Sequence, residues 1–134
     1  MTHASGTFEV HLAPQPNSAD EAPSLSRLLL DKQFHGDLAA TSQGQMLAAH
    51  TAVADSAGYV ALERVTGSLH GRQGTFVLQH SGLMNRGAGQ LTITVVPDSG
   101  TEALKGLAGS MTIAIDEAGE HTYAFAYTLG DAPA

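Results

Sequence analysis

Residues 63–87 read ERVTGSLHGRQGTFVLQHSGLMNRG. Two runs of β-branched, aromatic and aliphatic residues flank a glycine-bounded turn at GRQG (71–74), and a second glycine-rich turn, NRGAG, follows at 85–89. This is the pattern of an antiparallel hairpin. The same stretch carries Glu63, Arg64, His70, Arg72, His80, Asn85 and Arg86, in a chain with only 14% charged residues; typical domains have ~25%.

The side-chain period of a strand says where that chemistry points. An even-length turn places the odd positions of 59–69 on one face with the even positions of 74–84. One face then holds Tyr59, Ala61, Glu63, Val65 and Leu69 with Phe76, Leu78, His80 and Met84. The other holds Val60, Leu62, Arg64, Thr66 and His70 with Thr75, Val77, Gln79, Ser81 and Leu83. The first is the more apolar and aromatic, so it is expected to face a core. Glu63 and His80 share it, opposite or diagonal to one another. Burying either group alone costs several kcal/mol, so they are expected to pair with each other, with Arg or Tyr groups, or with a guest. Two readings stand. The pair is a structural polar plug or meets solvent, or it is an acid–base unit in a pocket, with the carboxylate setting the tautomer of the ring.

The same strand signals recur along the chain. Runs of period two or of β-rich composition occur at 6–12, 25–42, 45–53, 58–70, 75–84, 90–96, 107–115 and 121–129. Segment 13–24 (APQPNSADEAPS) has three of the five prolines and reads as a surface loop. LSRLLLDKQF also fits an amphipathic helix, but Phe34, Leu38 and Ala40 keep a period of two past Gly36, which favours one long strand bent there. PDSGTEALKG (97–106) has room for one helical turn. Eight successive strands with short connections predict an all-β protein, one domain over 1–134, built as a closed antiparallel eight-stranded barrel with one long crossing loop. A two-sheet sandwich is the competitor, and the glycines within strands favour the barrel.

Composition narrows the functions. The net charge is −7 and the six Lys and Arg are scattered, so no basic stripe is present for nucleic acid or for an anionic membrane. With no cysteine, disulfides and thiolate chemistry are excluded. The N-terminal residues lack a signal-peptide pattern and no apolar run reaches a membrane span, so a cytoplasmic location is expected. Seven histidines invite a metal, yet no HxH, HxxxH or HExxH spacing occurs, and neither a metal nor a cofactor is expected. There is no GxSxG, GxGxxG or P-loop pattern.

Further candidates are weaker. Asp31, Gln33, His35 and Asp37 alternate on one face of the second run, and only His35, beside Gly36, is carried forward. Asn85 and Arg86 sit where they would line a barrel mouth, although turn chemistry explains them equally well. Tyr123, Phe125 and Tyr127 form a stripe of the kind that usually packs in a core.

LDKQFHGDLAATSQGQM, AGYVALERVTGSLHGRQGTFVLQHSGLMNRG, LTITVVPDSGT and LAGSMTI resemble the bacterial domain-of-unknown-function 3224 family. The resemblance implies a closed barrel similar to allene oxide cyclase, and it implies no activity. On the residues, the expected function is binding of an apolar small molecule inside the barrel, with Tyr59, Phe76 and Leu78 as walls and Glu63, His80 and Arg64 orienting the guest. A cofactor-independent isomerase or cyclase stays open, with Glu63 and His80 as acid and base and Asn85 or Arg86 steadying an oxygen. So does a solid barrel acting only as a homo-oligomer.

Overall fold

The computed structural model describes residues 1–16 and 25–130. Eight strands follow in order: β1 (Thr2–Gln15), β2 (Leu25–Gly36), β3 (Leu38–His50), β4 (Ala57–Leu69), β5 (Arg72–Asn85), β6 (Ala88–Val95), β7 (Leu107–Ile115) and β8 (His121–Leu129). Each pairs antiparallel with the next, and β8 returns to β1, so the sheet closes as an eight-stranded barrel. Among the described residues the only helical element is a single 3-10 turn, Glu102–Leu104, and no helix of the described residues is long and apolar enough to cross a membrane.

The hairpin at the centre of the sequence reading pairs Leu69 with Arg72 and Glu63 with Leu78. The reversal is therefore the two residues His70–Gly71, rather than GRQG, with φ of 47° and 79°. Arg86–Gly87 repeats the device at φ 49° and 93°, linking Asn85 to its partner Ala88. Two left-handed residues in succession match the twist of the flanking strands.

Two boundaries differ from the sequence reading. Residues 25–42 are not one bent strand. The chain reverses at Gly36–Asp37, and β2 pairs back on β3 with Phe34 opposite Ala40. The alternation of Phe34, Leu38 and Ala40 is continuous because a tight turn returns the chain to the same interior face. Residues 45–53 thus contain the second half of β3 rather than a strand of their own. Likewise Ala13, Pro14 and Gln15 belong to β1, pairing with Leu29, Leu28 and Arg27; the ladder of β1 with β8 stops at Phe8, so Pro14 lies where, among the described residues, one edge of β1 has no strand beside it, a position that tolerates proline. The remainder of the expected loop, residues 17–24, lies outside the described residues.

The Gly36 reversal (φ 101°) is held by the side chains of Tyr123, from β8, and of its own Asp37. The Tyr123 hydroxyl accepts from the Leu38 N–H (2.9 Å) and donates to the His35 carbonyl (2.8 Å). The Asp37 carboxylate accepts from the Ser5 N–H at 3.0 Å. Tyr123→Phe should cost about 1–3 kcal/mol in a denaturant titration, the penalty for a buried N–H left without its partner. A change within a few tenths of a kcal/mol would contradict that role.

Interior side chains divide the barrel into two halves. At the Gly36 end, Phe34, Leu38, Val65, Leu69, Phe76, Leu78, Phe125 and Tyr127 pack solid. Leu104 closes this end from the 3-10 turn and is buried. Its segment stays on the barrel because the Thr101 N–H donates to the Thr75 carbonyl at 2.9 Å and the Val77 N–H to the Ser99 hydroxyl at 3.0 Å. At the other end, the inward positions include Ala48, Ala57, Ala61, Gly82 and Gly89, too small to meet across the barrel. That half stays open.

Candidate functional site

Glu63 lies near the middle of β4, its side chain fully buried. One of its oxygens, Oε2, is shared by Lys32 Nζ at 2.9 Å and His80 Nε2 at 2.7 Å. The other, Oε1, accepts from the Ser42 hydroxyl at 3.1 Å. On the far side of the imidazole, His80 Nδ1 is 3.3 Å from the Tyr59 hydroxyl. In the neutral ring, the tautomer that satisfies both contacts has Nε2–H donating to Glu63 and Nδ1 accepting from Tyr59.

Each member arrives by the period of its strand. His80 is diagonal to Glu63, since Glu63 pairs with Leu78 and His80 with Ala61. Lys32 comes from β2, across the intervening β3. It can reach because β3 offers only Ser42 and Gly44 there: Lys32 pairs with Ser42, and Gly44 lies between Leu30 and Glu63. Tyr59 lies across Gly82, where a Cβ would stand 2.4 Å from the ring. Glycine at 82 is thus what lets the phenol reach His80.

Opposing effects set the charge state. Burial alone would raise the Glu63 carboxyl, but the His80 hydrogen bond and the Lys32 and His80 charges outweigh it and leave the pKa below the ordinary value. Glu63 is therefore an anion with two basic neighbours. Burial, reinforced by the Glu63 charge, raises the Tyr59 phenol, which stays protonated at neutral pH. The Lys32 ammonium also lies over the Phe8 ring (5.1 Å) and the Phe34 ring (5.7 Å), a favourable cation–π arrangement.

Above this array opens a cavity of ≈ 480 Å³, walled by Phe8, Val10, Leu30, Met46 and Ile113, with His121 at one side. Lys32, Tyr59 and His80 line it, whereas Glu63 does not. The floor therefore presents the ammonium, phenol and imidazole, while the carboxylate lies behind them. No three described His, Cys, Asp or Glu side chains are grouped so as to hold a metal ion.

Of the residues singled out from the sequence, Tyr59, Glu63 and His80 come together. The others separate. Arg64, next to Glu63 in the chain, is exposed on the outer surface, as the period of two requires. Phe76 and Leu78 are inward but lie in the solid half, Phe76 stacked 6.0 Å from Phe125; they are core rather than cavity wall. The aromatic stripe of β8 belongs to the same core. Met84 is 44% exposed because its position lies at the open rim. Asn85 and Arg86 are exposed in the turn at that end, where the Arg86 N–H donates to the Ser56 hydroxyl at 3.0 Å, and neither lines the cavity. His35 is exposed at the closed end and pairs with Glu9 at 2.6 Å. Lys32 and Ser42 were not singled out from the sequence. The signal for Lys32 was present in the alternation of Leu30, Lys32 and Phe34, which puts a lysine on an inward face.

Comparison with known proteins agrees with this architecture. The model of the family described as "Protein of unknown function (DUF3224)" matches residues 4–127. A crystal structure of a protein of unknown function from the DUF3224 family of Shewanella oneidensis MR-1, at 1.84 Å resolution, is 49% identical to this chain. The two superpose with a TM-score of 0.92, over 98% of this chain and 99% of the other. No curated protein matches. By the extent of the family match, the chain is a member of the DUF3224 family.

Proposed function

We propose that the protein binds an apolar small molecule in the open half of the barrel, with its polar end against the Lys32–Glu63–His80–Tyr59 array. The supporting observation is the ≈ 480 Å³ cavity with apolar walls and three polar groups converging on its floor. Sites for small ligands have volumes of about 300–1,000 Å³ and just such a lining. A polar array that served only to fill the core would be expected among packed side chains, as in the other half of the barrel.

Filling the cavity tests the reading. Ile113 lies on its wall and is only partly buried, so Ile113→Trp has space into which to grow. In a thermal-shift screen of apolar compounds bearing one polar group, hits on the wild type should vanish in Ile113→Trp, whose own melting temperature stays close to the wild-type value. Hits that persist unchanged would remove the cavity as the site.

One observation favours a second reading, the cofactor-independent isomerase or cyclase. Tyr59, His80 and Glu63 form a hydrogen-bonded chain that ends at the cavity, an arrangement suited to proton transfer. On that reading Tyr59 and His80 would face the substrate, with Glu63 orienting the ring from behind. Recovery of the bound compound distinguishes the two: a carrier returns it intact, and an enzyme returns an isomer.

A further inference from the structure

The array is unbalanced in a way that points to its guest. One carboxylate, Glu63, serves two basic side chains, Lys32 and His80. Its Oε2 already accepts two hydrogen bonds and its Oε1 accepts one from Ser42, and it does not line the cavity. The ammonium has three N–H donors, of which one goes to Glu63. The groups offered to a guest are thus donors, and the complementary head is an oxygen acceptor.

Charge narrows this further. With His80 neutral, Lys32 and Glu63 cancel, and an anion added beside Glu63 would leave a buried excess of negative charge, at considerable cost. With His80 protonated, two cations face two anions and the site is neutral. The hydrogen bonds favour the same change. Neutral His80 takes the Tyr59 O–H through Nδ1; the imidazolium donates from Nδ1 instead, which turns the Tyr59 proton free to bond the guest. Resting on the cavity reading above, we infer that the ligand is an apolar monocarboxylate, held by the Lys32 ammonium and the Tyr59 hydroxyl, and that it binds together with one proton taken from solvent by His80.

The groups around His80 leave few rivals for that proton. Glu63 and Tyr59 face it from β4 and Lys32 from β2. Histidines also stand on β8, where His121 lines the cavity, and on β3, where His50 is exposed at the rim. Among the described residues, the inward positions of β1, β6 and β7 bring no titratable side chain to the cavity.

The test is titration calorimetry with decanoate, 1-decanol and 2-decanone. Decanoate should bind in preference to both neutral probes, and its Kd should tighten by up to about tenfold per unit fall between about pH 8 and pH 6, the limit for one proton per ligand. His80→Gln should flatten that dependence and His121→Gln should retain it. Tyr59→Phe should weaken decanoate at least several-fold, which keeps a readout if His80→Gln does not fold. Decanoate affinity independent of pH, or 1-decanol or 2-decanone binding equally well, would overturn the carboxylate and its proton while leaving the cavity standing. If no probe bound the wild type, the cavity reading itself would fall.

Discussion

Glu63→Gln lowers the unfolding free energy by about 3–5 kcal/mol, because it strands the Lys32 ammonium in the barrel without its counter-charge. Lys32 is itself buried and, among the described residues, takes its carboxylate partner from Glu63 alone, at 2.9 Å. Adding Lys32→Met removes the stranded charge and replaces it with a side chain of similar length. The double variant should therefore recover most of the loss, since neutral replacements of buried ion pairs are often tolerated. Urea titrations of the two single variants and the double variant check this. Additive losses would mean that the pair is not coupled. The pH dependence follows in sign. The Glu63 pKa lies below its ordinary value of 4.5, so its contribution is fully present above that value and is lost as pH falls through the lowered one. The gap between wild type and Glu63→Gln should narrow as pH falls below 4.5.

Gly44→Ala is the second large effect. A Cβ at this position would stand 2.1 Å from the Leu62 carbonyl oxygen, 2.7 Å from Glu63 Cα and 2.9 Å from Glu63 Cβ. Two of these three atoms are backbone, so no side chain can turn aside to make room. β3 must move from β4 at the point where Glu63 is held, at a cost of about 3 kcal/mol or more for overpacking that shifts the backbone. Ligand binding should be lost with it. Gly71→Ala is the control, since a Cβ there meets nothing within 4 Å and only the φ of 79° is unfavourable; it should cost about 1–2 kcal/mol. Equal losses at the two positions would show that crowding at Gly44 is not the cause.

Much of the barrel was legible in the chain because the period of a strand is a local property. Residues 59–69 and 74–84 assign their own faces, and those faces place Glu63 and His80 together inside and Arg64 outside. The reading went wrong where one local pattern served two geometries. Phe34, Leu38 and Ala40 alternate equally well along a bent strand and around a tight reversal, and the choice was made by the Tyr123 hydroxyl, far away in the chain. The expected site was incomplete for the same reason. Nothing near Lys32 in sequence says that Ser42 and Gly44 will leave it a path to Glu63.

By itself, then, the sequence determined the all-β class, the number of strands and the shared face of Glu63 and His80 on β4 and β5, since alternation of side chains is written residue by residue. Only the tertiary structure decided which half of the barrel is full. Packing depends on side chains that meet across the barrel, such as Phe76 with Phe125, and on small ones such as Ala61 and Gly82 that do not. It also decided that Lys32 joins the pair, because a buried charge finds its partner by proximity in space.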